Sequence, residues 1–88
     1  AGKEAAHRLT QSVDEARAAM RAAAAEASEA GAPTSAKAAF IEAESLARAA
    51  EKLVERSELD LAIAQLGRAA DAYHAATTVL DQQAELVW

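Results

Sequence analysis

Cysteine is absent from this 88-residue chain, which removes disulfides and thiolate metal sites and leaves the compartment unmarked by thiol usage. Glycine occurs three times and proline once, too few for a loop-rich or many-turned β architecture. Phenylalanine, tyrosine and tryptophan occur once each, so no aromatic cluster can dominate a core or stack on bases. No apolar run approaches the roughly 18 residues needed to cross a bilayer, and no signal-peptide pattern opens the chain, so membrane insertion is not expected. Positive charge is also short: nine Lys and Arg stand against fourteen Asp and Glu, a net charge of −5. Because phosphate affinity rests on clustered cations, and these are interspersed with carboxylates, nucleic acid is not an expected partner.

Alanine fills about a third of the positions, and charged residues another 26%. That composition matches long helices far better than sheet, so an all-α fold is expected. At this length one thin core is available, not two. The opening "AGKE" and closing "ELVW" read as the ends of a fragment cut from a longer protein, a single domain over residues 1–88.

Leu9, Val13, Ala16, Met20, Ala23, Ala27 and Ala30 recur at spacings of 3 and 4 after Ala6, the seam of an amphipathic helix over residues 3–30. Gly31 is placed for a left-handed helix stop, and Pro33 cannot continue the hydrogen-bond ladder. Thr34 or Ser35 is a candidate N-cap for a second helix over 35–56, with seam residues Ala36, Phe40, Ala43, Ala47, Ala50 and Val54 widened by Leu46 and Leu53. The seam then jumps register. A capping box formed by Ser57 and Asp60, with Glu58 nearby, predicts a new helix over 58–87 carrying Leu59, Ala62, Ile63, Leu66, Ala69, Tyr73, Ala76, Leu80 and Val87. Short connections predict an antiparallel up-down-up three-helix bundle. Its well-filled end should join Leu9 and Val13 to Leu53, Val54, Leu59 and Ile63. The end formed by the stretch from Arg21 to Phe40, which has no large apolar side chain before Phe40, should be the weakest and exchange its amides fastest. Gly67, inside the third helix, marks a candidate close helix contact.

The stretch "LARAAEKLVERSELDLAIAQLGRAADAY" (residues 46–73) resembles a tetratricopeptide hairpin. Leu46, Ala49, Ala50 and Leu53 match its first helix, and Leu59, Ala62, Ile63, Leu66 and Ala69 its second. It is similar, too, to the hairpin inside microtubule-interacting-and-transport (MIT) three-helix bundles and to Ala-rich helical segments of bacterial envelope proteins. Ser57 stands where the repeat has its turn glycine, leucines replace the first-helix aromatics, the helices are longer, and no second copy follows at a fixed period. The resemblance implies peptide or helix binding in a groove.

Chemistry-bearing residues are sparse. His7 follows Glu4 and His74 follows Asp71 at three-residue spacing, as glutamate-rich helices produce by chance, and no third or fourth metal ligand is indicated. Asp14 with Glu15 and Glu42 with Glu44 do not share a helix face, and Ser12, Ser28, Ser35, Ser45 and Ser57 lack a recognisable base or elbow. No enzyme, cofactor or metal is expected. Ile41, Leu61, Val79, Leu86 and Trp88 fall off the seams and are the candidate partner-binding residues, for a protein partner or for self-association. The leading expectation is a non-catalytic interaction or spacer module inside a larger, bacterial protein. Its rivals are a small acidic inhibitor or immunity-type protein covering a basic partner, and an engineered bundle. The mixed signs of "EAESLARAAEKLVER" favour i to i+4 pairing and solubility over a single acidic face.

Overall fold

The computed structural model describes the backbone of residues 2–87 and the side chains of residues 7–80. It is all-helical, and among the described residues there is no strand. Four helices follow one another rather than three: α1 (Gly2–Glu29), a single turn α2 (Ala32–Ser35), α3 (Lys37–Glu55) and α4 (Leu59–Val87).

The extra helix comes from the "GAPTS" corner. Gly31 takes φ 92°, ψ 16°, the left-handed conformation expected of it, and its amide bonds back to the Ser28 carbonyl at 3.1 Å to end α1. Its own carbonyl then accepts from both Thr34 and Ser35, at 3.1 and 2.9 Å, so these two residues lie inside a new turn instead of capping α3. Pro33 fits the first turn of α2, where its missing amide hydrogen leaves no bond unmade. Ala36, at φ −130°, ψ 47°, separates α2 from α3 and has no side chain to cap with.

The second turn also departs from expectation. Ser57 is not an N-cap; it sits at φ 62° as the left-handed residue that closes α3. The Ser57 amide donates to the Val54 carbonyl at 3.0 Å and the Glu58 amide to the Leu53 carbonyl at 2.9 Å, the paired bonds of a Schellman motif. α4 starts from the Glu58 carbonyl, which accepts from Ala62 at 2.9 Å, with Asp60 as the acidic residue of its first turn. A non-glycine residue in the left-handed region costs about 1–2 kcal/mol.

α4 packs along both α1 and α3, while α1 and α3 approach each other at few points. Across that wider gap Arg17 grips Glu51 with two parallel bonds, Nε to Oε1 and Nη2 to Oε2, both 3.0 Å. With partial solvent exposure on both side chains, such a pair contributes about 0.5–1 kcal/mol and mainly holds register. It is the one ion pair among the described residues, so the alternating charges of α3 form no i to i+4 salt bridge of their own.

The molecule is 58 Å long and 17 × 15 Å across. A 29-residue helix spans only about 43 Å, so the helices are staggered. Leu9 lies level with the start of α4, leaving the first turns of α1 beyond it, and α4, ten residues longer than α3, runs past the corner at the other end.

The core is built from methyl groups. All the buried residues are alanine except Val13, Met20, Leu66 and Tyr73, and Leu66 is the largest side chain wholly removed from solvent. Ala27, Ala32, Ala43, Ala50, Ala62, Ala69 and Ala76 are fully buried. At the alanine-rich end Ala23, Ala27, Ala32, Ala36 and Ala76 are buried, because α2 touches all three long helices and small side chains admit close approach. At the end expected to be well filled Val13 is buried, but Leu9, Leu53, Val54, Leu59 and Ile63 are only partly so, and Leu61 is exposed. Ala30 is exposed at the close of α1, and Val87 lies outside the described side chains. Gly67 is no contact point, since a Cβ added there meets nothing within 4 Å.

The two left-handed residues give a paired test. Gly31→Ala should lower stability by about 1 kcal/mol through backbone strain alone, because a Cβ there meets no neighbour, whereas Ser57→Gly should raise it by a similar amount. Urea unfolding of both variants checks this, and a destabilised Ser57→Gly would show that the serine side chain matters more than its backbone.

Candidate interaction surface

Of the five off-seam residues the structure describes the side chains of three, Ile41, Leu61 and Val79. Ile41, 51% exposed, lies near the start of α3, and Val79, 37% exposed, lies on α4 beyond Tyr73. Leu61, 57% exposed, is at the opposite end, in the first turn of α4. The side chain of Leu86 and the whole of Trp88 lie outside the described residues.

Phe40, next to Ile41, turns inward. Its ring meets Tyr73 edge-on, centroids 5.4 Å apart and planes at 63°, joining α3 to α4 through the chain's only phenylalanine and only tyrosine. Just beyond, Thr77 and Thr78 turn their hydroxyls back to the carbonyls of Tyr73 and His74, at 3.2 and 3.0 Å, which satisfies them within the helix.

Leu61 has different company. The turn after α3 and the first residues of α4 form an open depression of about 520 Å³ with Leu9 of α1, lined by Ser57, Glu58, Leu59, Asp60 and Leu61. Sequence periodicity placed Leu9 and Leu59 in the core. They are half-buried because the Schellman turn carries the chain across the end of α3 and leaves their outer edges uncovered. The sequence signal was present in "SELDL": leucines two apart on a helix cannot both face inward.

Among the described residues the polar side chains do not converge on one point. His7 and His74 are exposed, and Glu4 lies outside the described side chains. Among the described residues no three His, Cys, Asp or Glu side chains are placed to hold a metal ion, and no serine side chain bonds to a histidine. Among the described residues no helix is long and apolar enough to cross a membrane.

The chain matches no family model, no curated protein and no solved structure.

Buried Tyr73 titrates above its ordinary value. Burial raises its phenol, the Glu44 carboxylate raises it further, and Arg48 partly offsets both. Below pH about 10 the phenol is neutral in folded and unfolded chains alike, so its contribution to stability is intact. Above that the unfolded chain ionises first, and the contribution is lost as pH rises through the higher folded value. With a single tyrosine present, absorbance at 295 nm should show one midpoint above 10 in the folded chain, falling toward 10 in urea. A native midpoint at or below 10 would contradict the burial.

Proposed function

We propose that this chain is a non-catalytic protein-protein interaction or spacer module of a larger protein, its three long helices running up, down and up and its binding carried by exposed aliphatic residues rather than by reactive groups. The observation that carries the reading is Leu61: the most exposed large apolar side chain among the described residues stands beside two half-covered leucines, Leu9 and Leu59, in a single depression. Three leucine side chains left partly or largely in water at one place are a cost that a partner would remove. The staggered 58 Å rod suits a spacer as well, since it holds its two ends well apart.

The likeness of residues 46–73 to tetratricopeptide and MIT hairpins supports the same reading, because those folds bind peptides or helices in grooves between their helices. Exposed histidines and unconverged carboxylates give an enzyme no starting point.

Replacing Leu61 and Ile41 separately by serine tests whether these residues belong to a surface or to the fold. Each variant should melt cooperatively with stability within about 0.5 kcal/mol of the parent, and any rise of melting temperature over a hundredfold increase in concentration should shrink. Loss of cooperative melting in either variant would assign that residue to the core and contradict the reading.

A further inference from the structure

We propose that the depression between Leu9 and the 57–61 turn is a docking site for a basic segment of a protein partner, a stretch in which one or two aliphatic side chains are flanked by Lys or Arg. The proposal rests on the interaction-module reading and assigns it a place and a partner chemistry.

The depression is apolar at its floor and acidic at its edge. Leu9, Leu59 and Leu61 supply the apolar surface, and Glu58 and Asp60 stand in the same lining with no cation among its residues. Neither carboxylate has an ion-pair partner among the described residues, where Arg17 with Glu51 is the one pair. Arg8 and Arg56 flank the site in sequence, and both are exposed and have no ion-pair partner among the described residues. The volume falls within the range of small-molecule pockets. Such pockets, however, enclose their ligands, whereas this one is a wide shallow surface with no buried polar group aimed into it, among the described residues. Its shape therefore suits side chains carried on another polypeptide. Charge complementarity fixes their character: cations beside the Glu58 and Asp60 carboxylates, aliphatic groups against the three leucines. Two local carboxylates suffice for this, so the site does not require a wholly acidic face.

The turn geometry makes the site. The left-handed Ser57 and the Glu58 amide bond to Leu53 fold the chain so that Glu58, Leu59, Asp60 and Leu61 follow without an intervening loop. Leu59 points partly inward and Leu61 outward, and Leu9, level with them on α1, forms the far wall.

The test is amide chemical-shift mapping on the full chain with three capped hexapeptides: Lys-Lys-Leu-Leu-Lys-Lys, its counterpart with every Lys replaced by Glu, and its counterpart with both Leu replaced by Ser. The expected result is saturable shifts at Leu9 and residues 57–61 with the first peptide only. Leu61→Ser should weaken that binding about tenfold, and Glu58→Gln with Asp60→Asn about threefold or more, with added salt removing the charge-dependent part. Equal responses to the Leu and Ser peptides, or to the Lys and Glu peptides, would overturn the proposal. So would shifts at 57–61 that appear on concentrating the chain without peptide, which would make a second copy the occupant. Shifts confined to the surroundings of Ile41 and Val79 would overturn this site while leaving the interaction-module reading standing. A chain that responds nowhere and does not self-associate would remove both.

Discussion

The distance between α4 and its two neighbours is the constraint on which the rest of the structure depends, and methyl groups set it. Ala43 and Ala50 on α3, Ala23 and Ala27 on α1, and Ala62, Ala69 and Ala76 on α4 are all buried, so backbones meet over side chains one carbon long. Helix axes separated by alanine lie toward the short end of the usual range of about 8–10 Å. Little apolar area is available per residue, and the structure compensates by closeness, with Leu66 as its single wholly enclosed large side chain. Truncating Leu66 would be expected to cost about 2–5 kcal/mol, a large share of what a domain of this size holds.

This closeness explains the other features. α4 is shared between α1 and α3, which leaves those two farther apart and gives the long Arg17 and Glu51 side chains a gap to bridge. At the corner, a flexible loop would leave the alanine seam open. A one-turn helix instead places Ala32 at full burial against all three long helices. At the opposite end Leu9, Leu59 and Leu61 line an open depression, and the outer edges of Leu9 and Leu59 remain in reach of a partner.

Much of this was legible in the order of residues. Spacings of 3 and 4 identified Val13, Met20, Ala23, Ala27, Ala43, Ala50, Ala62, Leu66, Ala69, Tyr73 and Ala76, all of which are buried. Gly31 and the register change near residue 57 marked the breaks. The failures have a common cause. Alanine gives periodicity without size, so a seam of alanines reads as loose packing when it permits the closest packing. Thr34, Ser35 and Ser57 are cap formers by type, but the carbonyls of Gly31 and Leu53 decide where the turns close, and those bonds depend on backbone angles that side-chain identity does not report. Of the candidate surface, Leu61 was visible as an off-seam residue, whereas its partnership with Leu9 and Leu59 depends on a stagger between helices that no local pattern encodes.

A matched pair of substitutions on adjacent residues of α3 tests the close-packing account most directly. Ala50 is fully buried and Ala49 exposed, so Ala→Leu at each makes the same change in helix propensity. Measured by urea unfolding, Ala50→Leu should cost about 1–3 kcal/mol by overpacking, and Ala49→Leu should fall within about 0.5 kcal/mol of the parent. Equal effects at the two sites, or a more stable Ala50→Leu, would mean that the helices have room to spare and that methyl-to-methyl contact does not set their spacing.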